Sequence, residues 1–148
     1  MDDVEVLMTE RAITRALYRY ARGVDHRDFD EVRACYWEDG YDEHTTFSGT
    51  VPDYLAWLEA VLPAVDVSTH QFTNVLIEID ADGRRATSDA SCLNVLVWGP
   101  DRNGRARHVT TGLRYVDAWE RRGGEWRVLR RRCTREWSRV DEVTAYSD

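Results

Sequence analysis

The chain has 148 residues, a length that fits a single domain with its own hydrophobic core. All 20 basic residues are arginine. The formal net charge is −7, and nothing in the sequence resembles a basic surface of the kind that binds nucleic acid. No apolar run approaches the length of a membrane span, which argues against a membrane partner.

The first part of the chain has the spacing of helices. Residues 4–24 place apolar side chains on one helical face, and Gly23 is the predicted stop. A short second helix is predicted over 29–36, followed by a turn over 37–40. A third helix is predicted over 52–62, because its proline suits the first helical turn.

The second part of the chain has the period of strands. Strands are predicted over 68–80, 85–98, 108–120 and 125–139, and glycine-containing turns join them as hairpins. Helices followed by long hairpin strands predict an α+β fold. The helices would pack on one face of a curved antiparallel sheet.

The cysteines and histidines give no sign of a metal or a disulfide framework. Cys35, Cys92 and Cys133 are widely spaced without a CxxC pair, which predicts reduced thiols in a cytoplasm. The first residues also lack the basic and apolar regions of a signal peptide. The four histidines lack ligand spacing, and no nucleotide-binding motif occurs, so neither a metal nor a cofactor is expected.

Two titratable residues form a possible general-base dyad. Asp25 follows the first helix and His70 opens the first long strand, where it would share a face with Phe72, Asn74 and Leu76. If the fold brings them together, the carboxylate orients the imidazole and the imidazole removes a proton. A structural histidine and a solvated or helix-capping aspartate are the alternatives that the residues alone leave open.

Several short segments resemble a known family. They are Gly23-Val24-Asp25, Tyr36-Trp37-Glu38-Asp39, His70-x-x-Thr73-Asn74 and the stretch from Tyr115 to Trp126. Over nearly its whole length the chain resembles the SnoaL-like branch of the NTF2-like superfamily, in particular the scytalone dehydratase, bile-acid 7α-dehydratase and hexachlorocyclohexane dehydrochlorinase type.

This resemblance implies one domain over residues 1–148 with the fold of a cone-shaped α+β barrel, often trimeric, around an apolar pocket. It also implies that Asp25 and His70 drive an elimination without a cofactor. The superfamily includes isomerases, cyclases, hydrolases and non-catalytic domains as well, so the fold alone does not define the reaction.

Two further candidates lie near the helices. Tyr20 matches a tyrosine of the bile-acid dehydratase family, which implies a pocket hydroxyl, and a core aromatic residue is an equal alternative. Residues 42–47 form a predicted extended segment with Asp42 and His44 on one side. His44 is either a second acid/base or substrate contact, or part of a surface hairpin, which is the interpretation that we favour.

Three more candidates lie on the predicted strands. Asn94 is either a pocket donor or a satisfied core amide, and it departs from the bile-acid family, which has an acid near this place. On the last strand, alternation places Arg131 and Arg135 on the face opposite Val128. Either this strand faces solvent or another subunit, or one of the two arginines enters the pocket and binds an anion.

The sequence therefore predicts a cofactor-independent lyase that acts on a small apolar molecule. His70, oriented by Asp25, would serve as base and then as acid in a dehydratase-type elimination. An isomerase or polyketide cyclase that uses the same base is the alternative, as is a non-catalytic ligand-binding protein. The expected partners are a small-molecule substrate and further copies of the chain, as a dimer or trimer.

Overall fold

A computed structural model describes residues 1–144 of the chain and its side chains as far as Glu142. The helices are α1 (Asp3–His26), α2 (Phe29–Ala34), α3 (Val51–Val61) and one turn of 3-10 helix (Leu62–Ala64). The strands are β1 (Tyr36–His44), β2 (Phe47–Thr50), β3 (Val67–Ile79), β4 (Arg85–Trp98), β5 (Arg105–Arg122) and β6 (Glu125–Thr144). No helix in this part of the chain is long and apolar enough to cross a membrane.

The six strands form one sheet in the order β2-β1-β6-β5-β4-β3. Every pair is antiparallel except β1 and β6, which run parallel. Helices α1 and α3 pack on the inner face of this sheet, where the core includes Leu17, Tyr20, Tyr54, Tyr115 and Trp119. The predicted α+β class and the two predicted hairpins of long strands are confirmed.

Helix α1 begins at a capping box of Asp2 and Glu5, whose side chains each accept the other residue's backbone N–H. It continues to His26, so the predicted stop at Gly23 is wrong. Gly23 instead lies where α1 and α2 meet, and a Cβ there would come 2.8 Å from Val32 Cγ2. The missing side chain allows the two helices to approach this closely.

The residue that caps α2 is Asp28 and not Asp25. Asp28 accepts the N–H of Glu31 at 3.1 Å and so caps the helix. Asp25 is therefore not needed as a cap, and its carboxylate contacts β3 instead.

Strand β1 was predicted only in part. Its residues 36–40 were predicted as the end of the second helix and a turn, which is wrong, whereas its last residues fall in the extended segment predicted over 42–47. Its partners are β2 and the last strand, β6, in which Arg131 lies opposite Asp42. Because β6 is far from β1 in the sequence, the residues around position 40 give no local sign of this pairing. Gly40 permits the contact, because a Cβ there would come 3.0 Å from the carbonyl oxygen of Leu129.

Irregularities in two strands change the predicted faces. The register of β3 shifts at Asn74, which has a φ of 51°, so that Leu76 is exposed instead of sharing the face of His70. The register of β6 shifts near Leu129, so Val128 and Arg131 are both buried on the inner face. Strict alternation had placed those two residues on opposite faces.

Gly23→Ala should destabilise the protein by about 1–3 kcal/mol, because the new methyl group overpacks the contact with Val32. In an open helix the same change would stabilise, since alanine has the higher helix propensity. Urea unfolding measures the difference. Arg22→Ala, at an exposed neighbouring position, is the control, and a Gly23→Ala protein as stable as the wild type would contradict the close contact.

Candidate active site

Asp25 and His70 are in direct contact. Asp25, in the last turn of α1, lies with its Oδ1 2.6 Å from Nδ1 of His70. Its Oδ2 accepts the backbone N–H of His70 at 2.8 Å, and Ser68 donates to Oδ1 at 2.8 Å. Because β3 is an edge strand of the sheet, its backbone has N–H groups that β4 does not use. One carboxylate therefore fixes both the imidazole and the strand that carries it.

These contacts also determine the charge of Asp25. Burial by itself raises the pKa of this carboxyl group, but the hydrogen bonds from the ring and the backbone of His70 and from Ser68 outweigh burial. The resulting pKa lies below the usual value of an aspartate. Asp25 is therefore a carboxylate at neutral pH.

Asp25 and Asn94 both contact the ring of His70. The Nδ2 of Asn94 donates to the carbonyl oxygen of Thr69 at 3.2 Å, which identifies the nitrogen end of the amide. The same Nδ2 lies 3.2 Å from Nε2 and 3.5 Å from Nδ1 of His70, so the amide lies against the face of the ring. The Asp25 carboxylate only accepts, so the Nδ1 that contacts it carries a proton. Nε2 is the ring nitrogen that this contact leaves available.

Asp42 and His44 form a second carboxylate–imidazole pair. Asp42 is fully buried, and its Oδ1 contacts Nδ1 of His44 while its Oδ2 accepts the hydroxyl of Tyr36 at 2.7 Å. Both lie on β1, which packs beneath α3. The favoured hairpin is present, because β1 and β2 pair around Thr45 and Thr46. His44 does not lie on its surface, however, since its side chain is only 12% exposed.

Tyr20 lies between the two histidines. Its hydroxyl is 2.6 Å from that of Tyr54 and 3.3 Å from Nε2 of His44, and its ring centroid is 6.5 Å from that of His70. Burial raises the pKa of Tyr20 above its usual value, so the phenol stays protonated. Tyr20 is thus both a core aromatic residue and a hydroxyl on the cavity.

The two candidate arginines have different places. Arg131 is buried and binds Asp117 with two hydrogen bonds of 2.8 and 2.7 Å. It also donates to the Tyr36 hydroxyl at 3.0 Å, and its guanidinium lies 4.1 Å from the Tyr20 ring centre. Arg135 is exposed, lines the cavity and donates to Thr45. Arg131 is therefore structural support behind the cavity, and Arg135 is the arginine that a ligand can reach.

Arg131 keeps its charge in this interior. Burial by itself lowers the pKa of the guanidinium, but the Asp117 carboxylate and the Tyr36 phenol raise it well above the usual value. The pair with Asp117 is bidentate, which is the strongest geometry of an arginine–carboxylate contact.

Both histidines open on one cavity of about 460 Å³. Its polar lining includes His44, His70, Asn94, Ser68, Tyr20 and Tyr54. Its other lining is largely apolar, with Val24, Leu58, Leu96, Val109 and Leu113 among the residues. A volume of this size suits a small organic molecule. The described residues contain no group of three or more side chains that could hold a metal ion.

Cys133 also lines the cavity, but it is not an activated nucleophile. Burial raises the pKa of its thiol to about 12, so the thiol stays protonated. Cys35 and Cys92 are buried and free as well.

Sequence reasoning did not identify Tyr54, Asp117 or Ser68 as parts of this region. A usable signal existed for Asp117, because strand alternation places it on the inner face between Tyr115 and Trp119. A charged residue on such a face predicts a buried partner, and Arg131 is its neighbour across the β5–β6 pair.

Comparison with known proteins agrees with this fold. The profile of the SnoaL-like domain family matches residues 5–132. The uncharacterized protein Rv2910c of Mycobacterium tuberculosis is 30% identical over 122 residues, which is 80% of each chain.

Solved structures agree as well. A hexachlorocyclohexane dehydrochlorinase (LinA) Type2 superimposes with a TM-score of 0.84 at 18% identity, over 99% of this chain and 98% of that one. A "Putative Scytalone Dehydratase" from Novosphingobium aromaticivorans DSM 12444 gives 0.79 at 19% identity, over 99% and 94%. Identities this low establish the NTF2-like fold and leave the reaction open.

Arg131→Met should destabilise the protein by about 3–5 kcal/mol, because it leaves Asp117 buried without its cation. Arg132→Met is the matched control on the same strand, since Arg132 is exposed and its pair with Glu43 should contribute about 0–1 kcal/mol. Urea unfolding compares the two. Equal losses would contradict the buried ion pair.

Asp25→Asn should destabilise the protein in a pH-dependent way. Since the folded state lowers the pKa of Asp25, its contribution is complete above the unfolded value of about 4 and disappears as the pH falls through the folded value. The loss of unfolding free energy should thus be larger at pH 6 than at pH 3. Asp3→Asn, at an exposed position on α1, is the control; a larger loss at pH 3 would contradict the assignment.

Proposed function

The chain belongs to the SnoaL-like domain family, and on this basis we propose that it is a cofactor-independent lyase for a small, largely apolar organic molecule. The observation that supports this proposal is the His70 imidazole, whose Nδ1 is bound to Asp25 and whose side chain lines the cavity. A neutral imidazole in this orientation is a general base.

The proposed reaction begins with proton removal by Nε2 of His70 from a carbon next to a carbonyl or leaving group. The imidazolium that forms is stabilised by the Asp25 carboxylate, which already holds Nδ1–H at 2.6 Å. Loss of the leaving group then completes the double bond. The mostly apolar lining limits the water that competes for the base.

The rival proposals differ in testable ways. A non-catalytic module predicts a separated Asp25 and His70 or a sealed cavity, and both the 2.6 Å contact and the open cavity count against it. An isomerase or cyclase is favoured by one observation, the second imidazole of His44 on the same cavity, since it could return the proton elsewhere on the substrate. The product mass separates the two reactions, because only elimination loses water or acid.

His70→Ala should lower turnover by about 10²–10⁴-fold, the usual contribution of a general base. His26→Ala is the matched control, since His26 lies exposed at the end of α1 and should leave the rate unchanged. Mass spectrometry and halide release over a panel of small cyclic β-hydroxy ketones and chlorinated cyclohexanes provide the rates. An unchanged rate in His70→Ala, or a wild type that eliminates from no member of the panel, would contradict the proposal.

A further inference from the structure

We propose that His44 is a second catalytic residue of the same cavity, an imidazolium that acts as the general acid. It would donate a proton from Nε2 to the leaving oxygen of the substrate while His70 removes the carbon-bound proton. This inference rests on the proposed function, because it assigns the acid of that elimination and with it the substrate class.

The first step of the argument is that Asp42 is ionised. The Tyr36 hydroxyl accepts from Arg131 at 3.0 Å, so it uses its own proton to donate to Oδ2 of Asp42 at 2.7 Å. Oδ1 of Asp42 contacts Nδ1 of His44. Because an imidazole is a stronger base than a carboxylate, the proton between them lies on Nδ1 of His44 and Asp42 is the carboxylate.

The second step is a count of buried charges. Asp42, Asp117 and Arg131 are each at most 2% exposed. Burial raises the pKa of Asp117, but the bidentate pair with Arg131 holds it as a carboxylate, so the three side chains carry two negative charges and one positive charge. An unpaired buried charge is strongly unfavourable and is normally neutralised by proton uptake. His44 contacts Asp42 directly, and its imidazolium form makes the cluster neutral.

The third step concerns the other groups near His44 in the described part of the chain. Its titratable contacts are Asp42 from β1, Tyr20 from α1, Tyr54 from α3 and Tyr115 from β5. Arg135 of β6 lines the same cavity, but it is exposed and so does not neutralise a buried carboxylate. Burial raises the pKa of the Tyr20 and Tyr54 hydroxyls, so both stay neutral. Their oxygens, 3.3 and 3.5 Å from Nε2 of His44, can accept its proton in a hydrogen bond.

The two histidines therefore differ in protonation. Asp25, the partner of His70, is partly exposed, so its negative charge needs no buried cation and His70 can remain neutral. His44 instead pairs with Asp42, whose carboxylate is fully buried. The strands β1 and β3 that carry the two histidines lie on either side of β6, β5 and β4 in the sheet. A substrate in the cavity thus meets a base from one side and an acid from the other.

This arrangement selects a substrate whose leaving group needs a proton. In a β-hydroxy ketone, Nε2 of His70 takes the proton next to the carbonyl, and the C–H electron pair forms the double bond. The C–O bond breaks with its electrons on oxygen, and Nε2–H of His44 protonates that oxygen to give water. The products are an enone and water, and both histidines return to their first states by proton exchange with solvent.

The protonation of His44 is measurable without a substrate. In ¹⁵N-histidine-labelled protein at pH 7.5, we expect one-bond proton couplings at both ring nitrogens of His44 and at Nδ1 alone of His70. His44→Gln and His70→Gln assign the signals. Asp42→Asn should make His44 neutral, and where that variant does not fold, the wild-type spectrum alone decides. An unprotonated Nε2 of His44 in the wild type overturns the imidazolium.

The acid role is measurable with a matched pair of substrates, 3-hydroxycyclohexanone and 3-chlorocyclohexanone, because chloride leaves without a proton. His44→Gln should lower kcat for the hydroxy ketone by about 10²-fold or more and for the chloro ketone by about tenfold or less. His26→Gln is the control for both.

Equal losses for the two ketones would overturn the acid role, and a wild type that eliminates neither would overturn the substrate class. Failure of the proposed function has a different signature. In that case His70→Gln leaves elimination from the chloro ketone intact, whatever the protonation of His44.

Discussion

The interior of this protein is organised around one buried positive charge, the guanidinium of Arg131. It binds Asp117 of β5 in a bidentate pair, donates to Tyr36 of β1 and lies over the ring of Tyr20 in α1. A guanidinium provides donors in a plane and an aromatic-stacking face, so one side chain satisfies all of these neighbours. The positions of β1, β5, β6 and α1 relative to one another depend on this contact.

This buried charge also supports the site. Through Tyr36 it reaches Asp42 and His44, whereas Asp25 and His70 have no contact with it and are organised by a helix end and an edge strand. The two carboxylate–imidazole pairs therefore share one cavity but differ in burial and in hydrogen-bond partners. Such differences between neighbouring titratable groups are how proteins separate an acid from a base.

The sequence predicted the fold class and the four long strands, because these depend on periodicity. It also identified Asp25 and His70 as candidates for a general-base dyad, because they lie in short recognisable motifs. It did not predict that residues 36–40 belong to β1 or that β1 pairs with the last strand of the chain, nor did it predict the bulges near Asn74 and Leu129 that change which side chains face inward. The buried position of His44 depends on β1, so a local pattern could not reveal it.

The central claim is that His70 presents a basic nitrogen to the cavity. Neutron diffraction from a crystal in heavy water at pH 7.5 would test it most directly, since deuterium atoms are then located in the density. The account predicts deuterium on Nδ1 of His70, toward Asp25, and none on Nε2. Deuterium on Nε2 with a bare Nδ1, or on both nitrogens, would contradict it.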